Sequence, residues 1–188
     1  MKQAKVLNEG EFARVLAAIG TTRHAARNRT AIMLSHYAGL RVGEIAALVV
    51  GDVLDSRNEV RESLTLRAAI TKSGETRIVF LGERLRNELK AYLSKDKPRP
   101  TDAPLLPSQR GAAFSANSLC QLFGRLYALA GIDGASSHSG RRWFITQLAH
   151  SGVSLKVIMA LAGHKNLATT QRYIEVSDAM MRDAVQRL

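Results

Sequence analysis

Residues 63 to 81, "SLTLRAAITKSGETRIVFL", are where the helical spacing of this chain gives way to another period. Two runs rich in β-branched residues flank a polar turn that holds Gly74, which is the pattern of a β-hairpin. A single hairpin among helical stretches confines the chain to the α+β class. We expect a mostly helical domain with a small three-stranded antiparallel sheet, its third strand near Val53.

The stretches around the hairpin carry helix signals. Asn8 stands three residues before Glu11, an N-cap with its glutamate, and an apolar stripe follows at Phe12, Val15, Leu16 and Ile19 until Gly20. "TTRHAARNRTAIMLSHYAG" reads as a longer second helix, apolar nearly all round in its later part and therefore buried, stopping at Gly39. "LRVGEIAALVVGDV" gives a short helix and a turn, and "GERLRNELKAYLSK" is amphipathic. All four prolines fall in "DKPRPTDAPLLPSQRG", a surface loop more than a domain boundary. Helical stretches follow at 115–131, 139–151, 154–162 and 166–174, with a last one from Ser177 to the end. One domain spanning 1–188 is expected.

Charge narrows the partners. The 188 residues hold 27 Lys and Arg against 16 acidic residues, a formal net charge of +11 spread along the chain, and this balance points to a polyanion. The single cysteine, Cys120, falls in a helical pattern with apolar residues at 119, 122, 123, 126 and 129, so a buried thiol is expected and no disulfide. The longest apolar run is about seven residues, "IAALVVG", short of a membrane span, and the N-terminus has no signal-peptide apolar region, so a cytoplasmic location is expected.

Missing motifs remove whole chemistries. The sequence has no H-E-x-x-H, no D-x-D pair, no C-x-x-C, no G-x-S-x-G and no P-loop, which takes support from metal-assisted hydrolysis, serine hydrolase chemistry and ATP use. Arg, Lys, His and Tyr remain, and those types suit a phosphodiester. Cationic donors neutralise the non-bridging oxygens, arginine matches phosphate bidentately, and a hydroxyl can attack phosphorus. Neither a metal nor a cofactor is expected.

Three clusters and the hairpin supply these types. "GLRVGEIAAL" puts Arg41 at a helix start with Glu44 one turn on to hold its guanidinium. "SHSGRRWFIT" puts His138 and Arg141 three apart at a helix N-terminus, where backbone N–H groups also favour an anion. "GHKNLATTQRY" puts His164 just after a helix-ending glycine and Tyr173 nine residues later. Lys72 sits at the hairpin turn. Tyr37, Tyr92 and Tyr127 lie in buried or amphipathic helices, where packing is the default. His24, His36 and His150 read as structural or surface residues, and Arg142 and Trp143 as packing or backbone contacts.

In order and spacing, these motifs resemble the tyrosine recombinases, or phage-type integrases, over essentially the whole chain. "GLRVGEI" resembles the first-arginine box, "TKSGETR" the lysine hairpin, "HSGRRWFIT" the H-x-x-R box and "LAGHKNLATTQRYI" the histidine and tyrosine boxes. The single-domain recombinases that invert fimbrial promoter segments are the nearest in pattern. The resemblance implies that Tyr173 is the nucleophile of a 3′-phosphotyrosyl bond, that Arg41 and Arg141 clamp the scissile phosphate, and that Lys72 is the general acid for the 5′-hydroxyl. It also implies that His138 takes or shares the tyrosine proton, that His164 hydrogen-bonds the phosphate and that Glu44 orients Arg41. Double-stranded DNA is the implied partner, with a homo-tetramer on DNA, accessory DNA-bending proteins, and a bacterial or phage-encoded protein working at the nucleoid.

The pattern also departs from the family. Ser139-Gly140 replaces a bulkier pair between histidine and arginine, "ALAGH" replaces Leu-Leu-Gly-His, and Ile174-Glu175 follows the tyrosine. No counterpart of the family's N-terminal core-binding domain is expected within these residues, which read either as a naturally short member or as a fragment, and the helix over 177–188, with Met181, Val185 and Leu188 at one spacing, is expected to be exchanged between protomers. "SLKVIMALAGHKNLATTQRY" also has the outline of a helix-turn-helix. A DNA-binding regulator without catalysis, or a type IB topoisomerase, is therefore the alternative.

Overall fold

The computed structural model describes residues 3–71, 74–94, 98–171 and 178–186. Ten α-helices, one short 3₁₀ helix over Ala68–Ile70 and one two-stranded sheet are defined among them. Helix α1, Glu9–Gly20, begins with the expected reciprocal cap: the Glu11 N–H donates to Asn8 Oδ1 at 2.8 Å and the Asn8 N–H to Glu11 Oε2 at 3.1 Å. Phe12, Val15 and Ile19 go into the core. Helix α2, Ala25–Tyr37, starts later than the sequence pattern suggests, because Thr22 closes a turn on the Ile19 carbonyl through both its N–H and its hydroxyl. Thr30 to His36 are buried without a break, as a helix apolar nearly all round requires.

The chain then leaves α2 through Gly39, whose φ of +61° is left-handed and whose pro-Cβ position lies 2.5 Å from the Phe144 ring. No residue with a side chain fits both demands. Two short helices follow, α3 over Val42–Ala46 and α4 over Val50–Val53. Strand β1, Ser63–Leu66, pairs antiparallel with β2, Arg77–Phe80, in the register Leu64↔Val79 and Leu66↔Arg77. This register turns Leu64, Leu66, Arg77 and Val79 inward and leaves Ile78 and Phe80 exposed.

The sheet corrects one expectation. Among the described residues it has two strands, not three. Val53 belongs to α4, where Asp52 accepts the Val49 N–H at 2.9 Å, and the residues beyond make only a single bridge, Leu54↔Val60, across a turn with Asn58 at positive φ. A helical turn fixed by its own cap leaves too little extended chain for a third strand.

Helix α5, Glu83–Leu93, lays Leu85, Leu89 and Tyr92 on the core. The proline-rich loop after it is stitched to the domain: the Leu105 N–H donates to the Leu48 carbonyl at 2.8 Å, and Leu105 and Leu106 are buried. Helix α6, Ala116–Leu129, buries Leu119, Leu122, Phe123 and Leu126, but Leu129 and Cys120 are exposed, against the expected buried thiol. Cys120 follows the inward Leu119 by one residue, about 100° round the helix, and its Sγ meets Ser137 Oγ at 3.3 Å.

These elements enclose the main core. A second, smaller cluster, Ile145, Ala149, Ile158 and Ala162, joins helices α7, Ser139–His150, and α8, Leu155–Ala162. Helices α9, Leu167–Gln171, and α10, Asp178–Val185, complete the chain. Helix α7 binds the small cluster to the large one by packing along α2. Its Gly140 is what lets it approach, since a Cβ there would stand 2.7 Å from Ser35 Oγ and 3.0 Å from the His36 backbone nitrogen. Trp143, one turn on, stacks on His36 at 3.7 Å, and His36 stacks on Phe12 at the same separation.

Candidate active site

The last turn of α8 organises the site. Gly163, at φ +61° and ψ +49°, ends the helix in the left-handed conformation, with its N–H on the Ala160 carbonyl and the His164 N–H on the Met159 carbonyl. That pair is a Schellman cap, and it leaves the carbonyls of residues 161 to 163 in need of donors. Each receives one from a different arginine: Arg77 Nη1 donates to Leu161 at 3.0 Å, Arg141 Nη2 to Ala162 at 2.5 Å and Arg41 Nη2 to Gly163 at 3.3 Å. Three guanidinium groups thus gather at the negative end of a helix dipole, the end that favours cations.

Glu44 fixes two of them. Its Oε1 accepts Arg41 Nη1 at 3.0 Å, while its Oε2 accepts Arg77 Nη2 at 2.7 Å and the Arg41 N–H at 2.8 Å. Only 1% of Glu44 is exposed, and burial works to raise its pKa. The charge of Arg77 and the bonds from Arg41 and Arg77 outweigh that, so the carboxyl lies below its usual range and stays ionised. Arg141 is anchored from another side, its Nη1 on the Gly39 carbonyl at 2.6 Å and its Nη2 against His164 Nε2 at 2.9 Å.

His164 is buried, and its Nδ1 lies 2.9 Å from Thr170 Oγ1. A guanidinium can only donate, so Nε2 accepts from Arg141 and the ring proton sits on Nδ1, facing Thr170. Burial first, then the charges of Arg141, Arg41 and Arg77, push the imidazole down to about 4, which keeps it neutral near pH 7. In this arrangement His164 braces Arg141, and an N–H for a phosphate would be available at Nε2 only if Arg141 let go.

The structure therefore brings together Arg41, Glu44, Arg141 and His164, drawn from three separate parts of the sequence. His138 occupies the N-cap of α7, exposed and one turn before Arg141. Lys72 and Tyr173 lie outside the described residues. The chain is described up to Thr71 before Lys72 and as far as Gln171 before Tyr173. Among the described residues no group of three or more His, Cys, Asp or Glu side chains is placed to hold a metal ion, and no helix is long and apolar enough to cross a membrane.

The model of the phage integrase family matches residues 5–180. The chain belongs to that family. Among similar members, "Tyrosine recombinase XerA" of Thermococcus kodakarensis is 32% identical over 186 residues, which cover 97% of this chain and 62% of that protein. "Tyrosine recombinase XerC" of Pelobacter propionicus is 30% identical over 152 residues, 80% of this chain and 48% of that one. This integrase-family chain thus spans about half to three fifths of the curated relatives it matches. In solved structures, a crystal structure of XerA recombinase aligns over the full chain and 64% of its own, at a TM-score of 0.76 and 25% identity. The Tn1549 transposon integrase in complex with a circular intermediate DNA aligns as well, at 0.76 and 22%, over 67% of its chain. The mostly helical α+β fold with its small sheet is the one these tyrosine recombinases share.

Two residues of this candidate site lie inside the quoted motifs without being singled out by them. Thr170 is fully buried and fixes the His164 tautomer, and only its spacing of six from the histidine hints at it. Arg77 ties Glu44 to α8, yet in "RIVF" the apolar weight of Ile78 and Phe80 argues for the opposite strand face turning inward.

Proposed function

We propose that this domain is the catalytic part of a site-specific DNA recombinase that breaks and rejoins strands through a 3′-phosphotyrosyl intermediate without a metal. The observation that carries the proposal is the convergence of Arg41 and Arg141 on neighbouring carbonyls beside His164. Of the three guanidinium groups gathered there two pair with one carboxylate, which leaves an excess of positive charge suited to a phosphodiester. A regulator that only binds DNA has no use for cations gathered so deep in the domain.

In this mechanism Arg41 and Arg141 hold the non-bridging oxygens. The Tyr173 oxygen attacks phosphorus, the bond to the 5′ oxygen breaks, and that oxygen leaves as a hydroxyl with a proton from Lys72. His138, at the N-terminus of α7, receives the tyrosine proton. A phenol ordinarily ionises near 10, so the neighbouring cations favour the phenolate. The roles of Lys72 and Tyr173 rest on their places in the sequence motifs. The phosphodiester energy is kept in the tyrosyl bond, and no nucleotide cofactor is needed.

Double-stranded DNA is the proposed substrate, approached through the net charge of +11 and assembled as a homo-tetramer, with accessory DNA-bending proteins, at the nucleoid. Relatives solved with DNA support this partner. Met181 and Val185 are exposed on α10, which supports docking of the 177–188 segment on a neighbouring protomer. Deleting 177–188 is expected to weaken assembly of paired sites and spare single-site binding, and unchanged pairing would remove that part.

The test is a set of nicked suicide duplexes, each carrying an inverted repeat taken from the DNA that flanks the gene. A denaturation-resistant protein–DNA adduct is expected, absent in Tyr173→Phe and strongly reduced in Arg141→Ala. No adduct from the unaltered protein would favour the binding-only regulator. Relaxation of supercoiled plasmid without sequence preference would favour a type IB topoisomerase.

A further inference from the structure

We infer that Arg77 is a positioning residue of the site, setting Arg41 through Glu44 and His164 through the end of α8; the inference builds on the recombinase reading above. Its side chain is only 9% exposed, against 22% for Arg41, and its two Nη atoms are engaged by Glu44 and by the Leu161 carbonyl. What Arg77 does is divide the Glu44 carboxylate. By occupying Oε2 at 2.7 Å, alongside the Arg41 N–H, it leaves Oε1 as the seat for Arg41 Nη1. Without it, the Arg41 guanidinium is free to swing toward both oxygens and leave the Gly163 carbonyl.

The same guanidinium grips α8. Its Nη1 holds the Leu161 carbonyl at 3.0 Å, and its Cδ occupies the space a side chain at 163 would need, 2.6 Å from the pro-Cβ position of Gly163. His164 is the next residue. Arg77 is thus a strut between the strand β2 it comes from, the acid of α3, and the cap that aims the histidine. Among the described residues, the charged groups around His164 are Arg141, Arg41, Arg77 and Glu44, with the exposed Lys165–Glu75 pair at 2.9 Å outside them.

Two variants separate positioning from mere support. Arg77→Met removes charge and fork at similar length, and Arg77→Lys keeps the charge and loses the fork. Adduct formation on the suicide duplex at saturating DNA is expected to fall about 100-fold in Arg77→Met, the scale of a misplacement of about 1 Å, with DNA affinity unchanged. The His164 ring, followed by NMR and assigned with His164→Asn, is expected to titrate at higher pH in Arg77→Met and near its wild-type position in Arg77→Lys, while Arg77→Lys still cleaves slowly. Wild-type cleavage in Arg77→Met, or slow cleavage with equally weakened DNA binding and an unmoved His164, would overturn the inference. If Arg77→Met does not fold, a wild-type cleavage rate in Arg77→Lys overturns it as well. Should the unaltered protein give no adduct, the recombinase reading fails by itself, and the His164 titration alone still decides whether Arg77 sets the histidine.

Discussion

Gly163→Ala is expected to damage both stability and cleavage, and the structure allows the two causes to be measured apart. The residue has φ +61°, where alanine costs about 1 kcal/mol relative to glycine. In addition, the new methyl would stand 2.6 Å from Arg77 Cδ and 3.0 Å from its Nε, so Arg77 must withdraw by about 1 Å to reach ordinary contact. That stretches its bonds to Glu44 and Leu161, both part-buried, at a further cost of about 1–3 kcal/mol. Gly131 supplies the control: its φ is +64° and nothing lies within 4 Å of its pro-Cβ position, so Gly131→Ala carries the conformational cost alone. At about 2–4 °C per kcal/mol for a domain of this size, Gly163→Ala should melt roughly 5–15 °C below wild type and Gly131→Ala only a few degrees below. Thermal unfolding by circular dichroism, with adduct formation measured alongside, makes the comparison. Equal destabilisation by the two alanines would refute the steric link from Gly163 to Arg77.

Acid should unfold the protein partly through His36. Burial, aided by Arg84, holds it down to about 3, whereas in the unfolded chain it protonates near 6.5. The unfolded state thus binds the extra proton below 6.5. The stability His36 confers is complete above that pH and is lost as pH falls toward 3, about 3 kcal/mol by pH 4. Urea unfolding of His36→Phe between pH 6 and 4 should lose about one proton from the slope, and an unchanged slope would contradict this. Thr170→Val should strand the His164 Nδ1–H in a buried site at a cost of about 1–3 kcal/mol, while Thr170→Ser recovers most of it, both read from melting temperature. Gly124→Ala, in the exposed interior of α6 with nothing within 4 Å, should stabilise by about 0.5–1 kcal/mol, and a lower melting temperature would show that the helix is strained there.

Local signals made much of this legible before any coordinates. The α1 cap, the Arg41–Glu44 pair and the helix positions of His138 and Arg141 are set by spacings of three or four residues, which a helix turns directly into neighbours. Register across a hairpin is not local, and this is why Arg77 was missed: Ile78 and Phe80 are the larger apolar residues, yet they face solvent because Val79 and the partner strand's Leu64 and Leu66 already fill the core. The third strand failed for a related reason, a four-residue helix with its own acidic cap having displaced extended chain. Ser139-Gly140, a departure from the family pattern, is explained only by the approach of α7 to Ser35 and His36, a contact between residues a hundred positions apart. Nor could spacing disclose that backbone carbonyls would be the meeting point of the arginines.

The two apolar clusters divide labour in a way that bears on how such a domain can change. The larger one carries α1 to α6 and with them Arg41, Glu44 and Arg77, while the smaller one carries α8 and the histidine, fastened through α7 and the guanidinium–carbonyl bonds. A methylene lost from Ile158 or Ile145 is felt first as a tilt of α8 against those anchors, long before the larger cluster notices. The aim of His164 and of the guanidinium–carbonyl bonds is therefore adjustable by substitutions in the small cluster that leave the larger one intact.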